Sequence, residues 1–397
     1  MKSNAQSPSY RALLDKGEPY RLLFPCGAAF GLIGVLLWPA YVWKLTETYP
    51  AIIHARIMIE CFMAAFVLGF LGTALPRLLG VSKICSLEAT VYATGLTATL
   101  LAHLINRTVV GDLIFIFTFG AFLLGLVLRA RKRQDIPPPA FILVGLGMLS
   151  AMIGATCFVL ASVWPALFGS PLYPVGRLLL YQGFVLFPVM GVGAFLLPRF
   201  FDLPNKQNLP ESLSPTAEWW ARAHLALFCG ALGLLSFALE YYGKLSAGYI
   251  LRAAAIALYF WREVPFYQTK LKNGSLAASL RIALASIPLG YLTMAIFPAR
   301  QITLLHIVFI TGFGLLTLTV ATRVIFGHGG RDHLFKSKLW SIRLFASITV
   351  LAMATRVSAD WMPDSRLTHY GYAALAWVAA LAIWSWFVLP SVRQADD

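Results

Sequence analysis

Apolar residues in this chain do not alternate with polar ones at a helical or strand period; they run in long blocks separated by short charged or proline-rich breaks. A bilayer-crossing helix needs about twenty predominantly apolar residues. Blocks of that kind occupy positions 20–43, 51–76, 84–105, 109–129, 140–164, 172–198, 219–239, 246–262, 277–298, 301–326, 339–360 and 368–390. The breaks are chemically marked. Arg129-Ala130-Arg131-Lys132-Arg133 leads into Pro137-Pro138-Pro139; a polar stretch runs from Asp202 to Glu218, and a glycine-rich, charged one from Gly327 to Lys338. No break is long enough to hold a water-soluble domain. The pattern predicts an all-α, polytopic membrane protein of about twelve spans. It comprises an N-terminal segment 1–19, one membrane domain 20–390 and a tail 391–397.

Composition sharpens this picture. Of 397 residues 59% are hydrophobic and 12% charged, with mean hydropathy +0.73. A soluble domain carries roughly 25% charged residues, so lipid is the expected solvent. The formal net charge of +15 resides in loops between apolar blocks, which points to membrane topology and away from a nucleic-acid groove. The first residues are polar and show no cleavable signal pattern. Cys26, Cys61, Cys85, Cys157 and Cys229 fall at no ligand-like spacing and read as small packing residues.

Basic residues also set an orientation. Lys2, Arg11, Lys16, Arg77, Lys83, Arg131, Lys132, Arg133, Lys270, Lys272, Arg331, Lys336 and Lys338 fall on the side of both termini. The other side holds few: Lys44, Arg107, Lys244, Arg300, Arg366 and, at its margin, Arg356. The bias predicts cytoplasmic termini. Within the spans, Arg222, Arg252, Arg281 and Arg343 are expected to snorkel toward the cytoplasmic interface. Glu60 and Glu88 read as intramembrane carboxylates, in a proton path or an ion pair.

An internal repeat is visible. Span 2 ends in Gly69-Phe70-Leu71-Gly72-Thr73-Ala74-Leu75-Pro76-Arg77, span 6 in Gly193-Ala194-Phe195-Leu196-Leu197-Pro198-Arg199, and span 10 in Leu318-Thr319-Val320-Ala321-Thr322-Arg323. The arginines recur every four spans at nearly equal intervals. This predicts three four-helix units, 20–135, 136–265 and 266–390, sharing one orientation.

Few residues could carry chemistry. His54 and His306 enter equivalent spans from the outer side at similar depth; His103 and His369 lie at the outer ends of spans 3 and 12. His224 lies near an inner span end, and His328 and His333 in an inner loop. An imidazole in lipid is costly and usually faces the bundle interior. Two neutral imidazoles on facing helices can supply both axial ligands of a haem iron. The alternative is that each bonds a nearby carbonyl or sits among headgroups. Arg56, Arg300 and Arg107, with Arg366 on an adjoining loop, could pair with haem propionates or simply anchor helix ends. A covalent c-type haem is excluded, since no Cys-x-x-Cys-His occurs.

Two segments resemble signatures of the NnrS family. One is Leu305-His306 through Thr322-Arg323, followed by Phe326-Gly327-His328-Gly329-Gly330-Arg331; the other is His54-Ala55-Arg56 through Gly69-Phe70-Leu71 and Thr73-Ala74-Leu75-Pro76. The resemblance implies a bacterial inner-membrane protein containing haem and copper that takes part in the response to nitric oxide and nitrosative stress. It also marks Arg323, His328 and Arg331 as motif residues of unassigned role. The three-by-four arrangement looks like the catalytic subunit of haem-copper oxidases, in which spans 2 and 10 supply low-spin haem ligands. The family's His-Ala-His-Glu-Met is here His54-Ala55-Arg56-Ile57-Met58, and spans 6 and 7 carry no outer histidine. The imidazoles that a copper site needs are therefore incomplete, and haem held by His54 and His306 is the cofactor expected. A small-solute transporter and a cofactor-free assembly subunit are the competing readings.

Overall fold

The computed structural model describes residues 9–264, 267 and 274–395. Lys2, Lys270 and Lys272 lie outside them. The described residues form helices and connecting turns without a strand. Twelve long helices follow one another: α1 (Tyr20–Val42), α2 (Ala51–Leu78), α3 (Ser86–Leu104), α4 (Thr108–Ala130), α5 (Phe141–Val163), α6 (Pro171–Phe200), α7 (Ala217–Tyr241), α8 (Leu245–Glu263), α9 (Ser275–Ile296), α10 (Pro298–Gly327), α11 (Trp340–Ser358) and α12 (Arg366–Val388). Ten are long and apolar enough to cross a membrane, and this is a polytopic membrane protein. The other two, α3 and α8, have 19 residues each, about 28 Å at 1.5 Å per residue. They are less apolar because each carries buried polar groups and packs in a hairpin with a neighbour, α3 with α4 and α8 with α7.

Alternate connections differ in kind. On one face, which we call distal, two of them are tight turns. The α3–α4 and α7–α8 turns close through Asn106 (φ 59°) and Gly243 (φ 77°) in the left-handed region. In both, the amide three residues past the helix end bonds back across the turn, Arg107 N to Ala102 O at 2.9 Å and Lys244 N to Leu239 O at 2.8 Å. The opposite, terminal face has longer connections and both described chain ends. There Arg21 donates to the carbonyls of Val392 (2.5 Å) and Gln394 (2.7 Å), and to that of His328 (3.1 Å).

At the centre, α2, α6 and α10 converge. One apolar cleft is lined by Phe66 and Phe70 of α2, Val189 and Val192 of α6, and Leu316 and Val320 of α10. All three helices change from α to π geometry and back, over Ile57–Met63, Arg177–Gly183 and Ile307–Gly314. A π turn inserts an extra residue and loosens the backbone ladder, and such turns gather at functional sites. Each of these segments carries a buried polar side chain, Glu60, Gln182 and Thr311 respectively.

Several expectations are corrected here. Arg252 does not snorkel toward the terminal face. It is fully buried in the distal half of α8, because a carboxylate at the end of α7 lies within reach. Glu88 is not in the membrane interior. It sits in the first turn of α3, accepts from Cys85 N at 3.0 Å and pairs with Arg129 at 2.6 Å. Cys85 is exposed in that turn, whereas Cys61, Cys157 and Cys229 are buried.

Candidate functional site

The distal third of the bundle holds three polar clusters, each built around a buried guanidinium. His54 and Arg56 share the first turns of α2 but face different clusters, because residues two apart on a helix point in nearly opposite directions.

The first cluster surrounds the two histidines. His54 Nδ1 lies 2.9 Å from the Gly34 carbonyl of α1, and its ring stands edge-on to Trp38 at 6.1 Å. His306 Nδ1 lies 2.8 Å from the carbonyl of Ile302, one turn earlier on α10. His306 is within electrostatic reach of His54, and both are within reach of Arg356. A carbonyl can only accept, so Nδ1 carries the proton in both rings and Nε2 keeps its lone pair. Arg356, on α11, donates to Thr303 Oγ1 at 3.4 Å and lies 3.9 Å over the Tyr370 ring. Asp360 ties this corner together: it accepts from Tyr370 OH at 3.1 Å and from Thr303, and its carbonyl accepts from Arg300.

The second cluster is fully buried between α2, α3, α4 and α6. Arg56 Nε lies 3.0 Å from Asp112 Oδ1, and its Nη1 lies 3.8 Å from Glu60 Oε1. His103 Nε2 is 2.9 Å from Glu60 Oε2. The guanidinium stacks 3.5 Å over Phe158 and donates to Tyr181 OH at 3.3 Å. His103 packs on the α4 backbone where Gly111 leaves room: a Cβ there would stand 2.4 Å from His103 Cε1.

The third cluster joins α6, α7, α8 and α9. Arg252 donates to Ser236 Oγ (2.9 Å), Gln182 Oε1 (2.8 Å) and Glu240 Oε2 (2.8 Å), and Tyr291 OH also donates to Gln182, at 3.0 Å. Beside it a polar cleft is lined by Arg177, Tyr181, Gln182, Glu240 and Gln301.

The residues singled out from sequence are thus divided. His54, His306 and Arg300 fall in or beside the first cluster. Arg56 is buried in the second, paired with Asp112, and Arg107 is exposed at the start of α4. Arg323, His328 and Arg331 lie at the terminal face. Arg323 lies 4.5 Å over Phe200 and 4.2 Å over Phe335, Arg77 contacts the His328 ring at 3.0 Å, and Arg331 donates to Ser391 at 3.0 Å. They knit the loop after α10 to the terminal-face end of α6 and to both described chain ends. Sequence reasoning passed over Asp112, Glu240 and the role of Arg356. An aspartate one turn inside an apolar block is costly in lipid, and that signal was available for Asp112.

The fold and these clusters define a class: a polytopic helical membrane protein with buried, charge-bearing polar sites between its spans. A family comparison then places it, for the NnrS family (NnrS protein) matches residues 16–395, and the chain belongs to that family. A comparison with curated proteins gave no match.

Proposed function

We propose that this is a multi-pass protein of the bacterial inner membrane, with both termini cytoplasmic, that binds haem between His54 and His306 and acts in the response to nitric oxide. Membership of the NnrS family supports the role. The observation that carries the haem site is the matched state of the two imidazoles. Each comes from a central helix at the distal end, each has Nδ1 tied to a carbonyl, and each keeps Nε2 free to ligate iron. The donor set fits a bis-imidazole haem, which when bound supplies an iron centre that exchanges one electron.

The chain's own residues do the rest. The Gly34 and Ile302 carbonyls orient the rings, while Trp38 packs edge-on to His54 and against Tyr370. Arg356 and Arg300, rather than Arg56 and Arg107, would offer positive charge to the propionates of a bound haem. The second cluster does not fit copper. It offers one imidazole and two carboxylates, one of whose charges Arg56 already offsets, whereas copper favours several nitrogen or sulfur donors. We also read α2, α6 and α10 as repeat equivalents, since all three line one cleft and switch to π geometry at the distal end.

Absorption spectroscopy on purified protein tests the proposal. A low-spin haem spectrum is expected, lost in His54→Ala and in His306→Ala and retained in His369→Ala. Protein that purifies without haem, or a spectrum surviving both ligand substitutions, would refute it.

A further inference from the structure

We propose that Glu60, His103 and Asp112, held around Arg56, form a proton-binding site inside the membrane that exchanges with the distal face. The inference starts from burial and charge. All four residues are buried, with Glu60, His103 and Asp112 at 0% exposure. With both carboxylates ionised, Arg56 charged and His103 neutral, the cluster would carry one net negative charge in a low-dielectric interior. Such a charge is expensive unless it is neutralised. One added proton brings the sum to zero. A divalent ion would overshoot to an equally costly positive charge.

Geometry shows where the proton resides. Asp112 is the nearer partner of Arg56, at 3.0 Å, and is the carboxylate that the guanidinium holds ionised. Glu60 Oε2 and His103 Nε2, 2.9 Å apart, share the remaining proton. His103 Nδ1 has no hydrogen-bond partner among the described residues, Glu60 Oε1 and Asp112 Oδ1 meet Arg56 only as ion-pair contacts, and the Glu60 and Asp112 carboxyls are close enough to share a proton. The ligand atoms of the three lie within 4.8 Å of one another, so the proton can move between acceptors without large motion. A purely structural network would leave fewer buried acceptors unmet.

The titratable and charged groups facing the site are few on each packed element. They are Arg56 and Cys61 from α2, His103 from α3, Asp112 from α4, and Tyr173 and Tyr181 from α6. From α5 it is Phe158 that meets the cluster. Access is from the distal side. Asp112 lies about 6 Å from the start of α4 by helical rise. Tyr181, hydrogen-bonded to Arg56, also lines the polar cleft of Arg177 and Glu240. On uptake, a proton leaves distal water, an O–H bond forms on Glu60 and donates to His103 Nε2, and no electron is transferred.

Infrared titration of the protein in lipid nanodiscs tests this, with or without haem. A protonated-carboxyl C=O band is expected that titrates with pH and shifts in deuterium oxide. It should vanish in Glu60→Gln and move its midpoint in Asp112→Asn. Carbon-13 labelling of Glu or of Asp carboxyls assigns the band in unsubstituted protein, so a variant that fails to fold leaves the test intact. No titrating protonated-carboxyl band, a band unaffected by both labels, or one tightly held divalent ion per chain beyond haem iron by elemental analysis would overturn the proposal. Loss of haem in the ligand variants bears on the haem site alone.

Discussion

The Arg252–Glu240 pair gives a quantitative test of how charge is held in this bundle. Arg252 has 0% side-chain exposure and Glu240 13%, and they are joined at 2.8 Å. Arg252 lies 4.3 Å over Phe237 and 4.9 Å over Tyr291, whose faces soften the cost of the cation without cancelling it. Replacing Glu240 by Leu leaves a guanidinium that cannot shed its proton. Breaking a buried pair from one side costs about 3–5 kcal/mol, and Glu240→Leu should reach that range. Arg252→Met should cost less, because the stranded carboxyl can take up a proton and is nearer the surface. That cost should shrink further as pH falls. The double substitution Glu240→Leu with Arg252→Met removes both charges and should recover at least about 2 kcal/mol relative to the sum of the singles. The assay is a double-mutant cycle of unfolding free energies in mixed micelles, run near neutral pH and again in mild acid. If the single effects add to the double within about 0.5 kcal/mol, the pair is not coupled and the charge argument fails.

Other expectations follow from single contacts. Gly111→Ala should destabilise the protein by about 1–3 kcal/mol through collision with the His103 ring, while Gly145→Ala, with nothing within 4 Å of the added Cβ, should be neutral or slightly stabilising; thermal unfolding in detergent checks both. Glu18 anchors the N-terminal segment to Arg77 at 2.7 Å and Arg21 at 2.6 Å. Burial alone would raise its carboxyl, but those hydrogen bonds outweigh it and hold the group below the ordinary carboxylate range. Docking of the segment is therefore fully stabilised above that range and weakens as pH falls through the depressed value. Amide exchange of residues 10–18 should accelerate in acid, and Glu18→Gln should reduce the pH dependence to the part that Asp15 contributes by accepting from Ser86 N. Reporter fusions after Arg133 and after Lys338 should read cytoplasmic and one after Lys44 external; disagreement between the first two would refute the helix count.

The helices were legible from sequence because lipid offers no partners to backbone groups. Each span must satisfy its own hydrogen bonds, so a long apolar block has one available structure. The same logic placed His54 and His306 at matching depth, since depth is counted in residues along a single helix. What one helix presents to another is a different matter. Arg56 is expected beside His54, pairing with propionates or anchoring the helix end, but its direction on α2 turns it to Asp112 and Phe158, contributed by α4 and α5. Arg252 was assigned to the terminal interface, yet it stays inside because Glu240 and Gln182 converge on it from α7 and α6. Arg356 looked marginal and proves to be the cation beside both imidazoles. Apolar periodicity is weak in blocks that are hydrophobic all round, so it does not report which face meets which neighbour. The spans and their depth belong to the sequence alone; the partnership of charges across spans belongs to the packing, because opposite charges in a low dielectric are drawn together from segments that no local pattern connects.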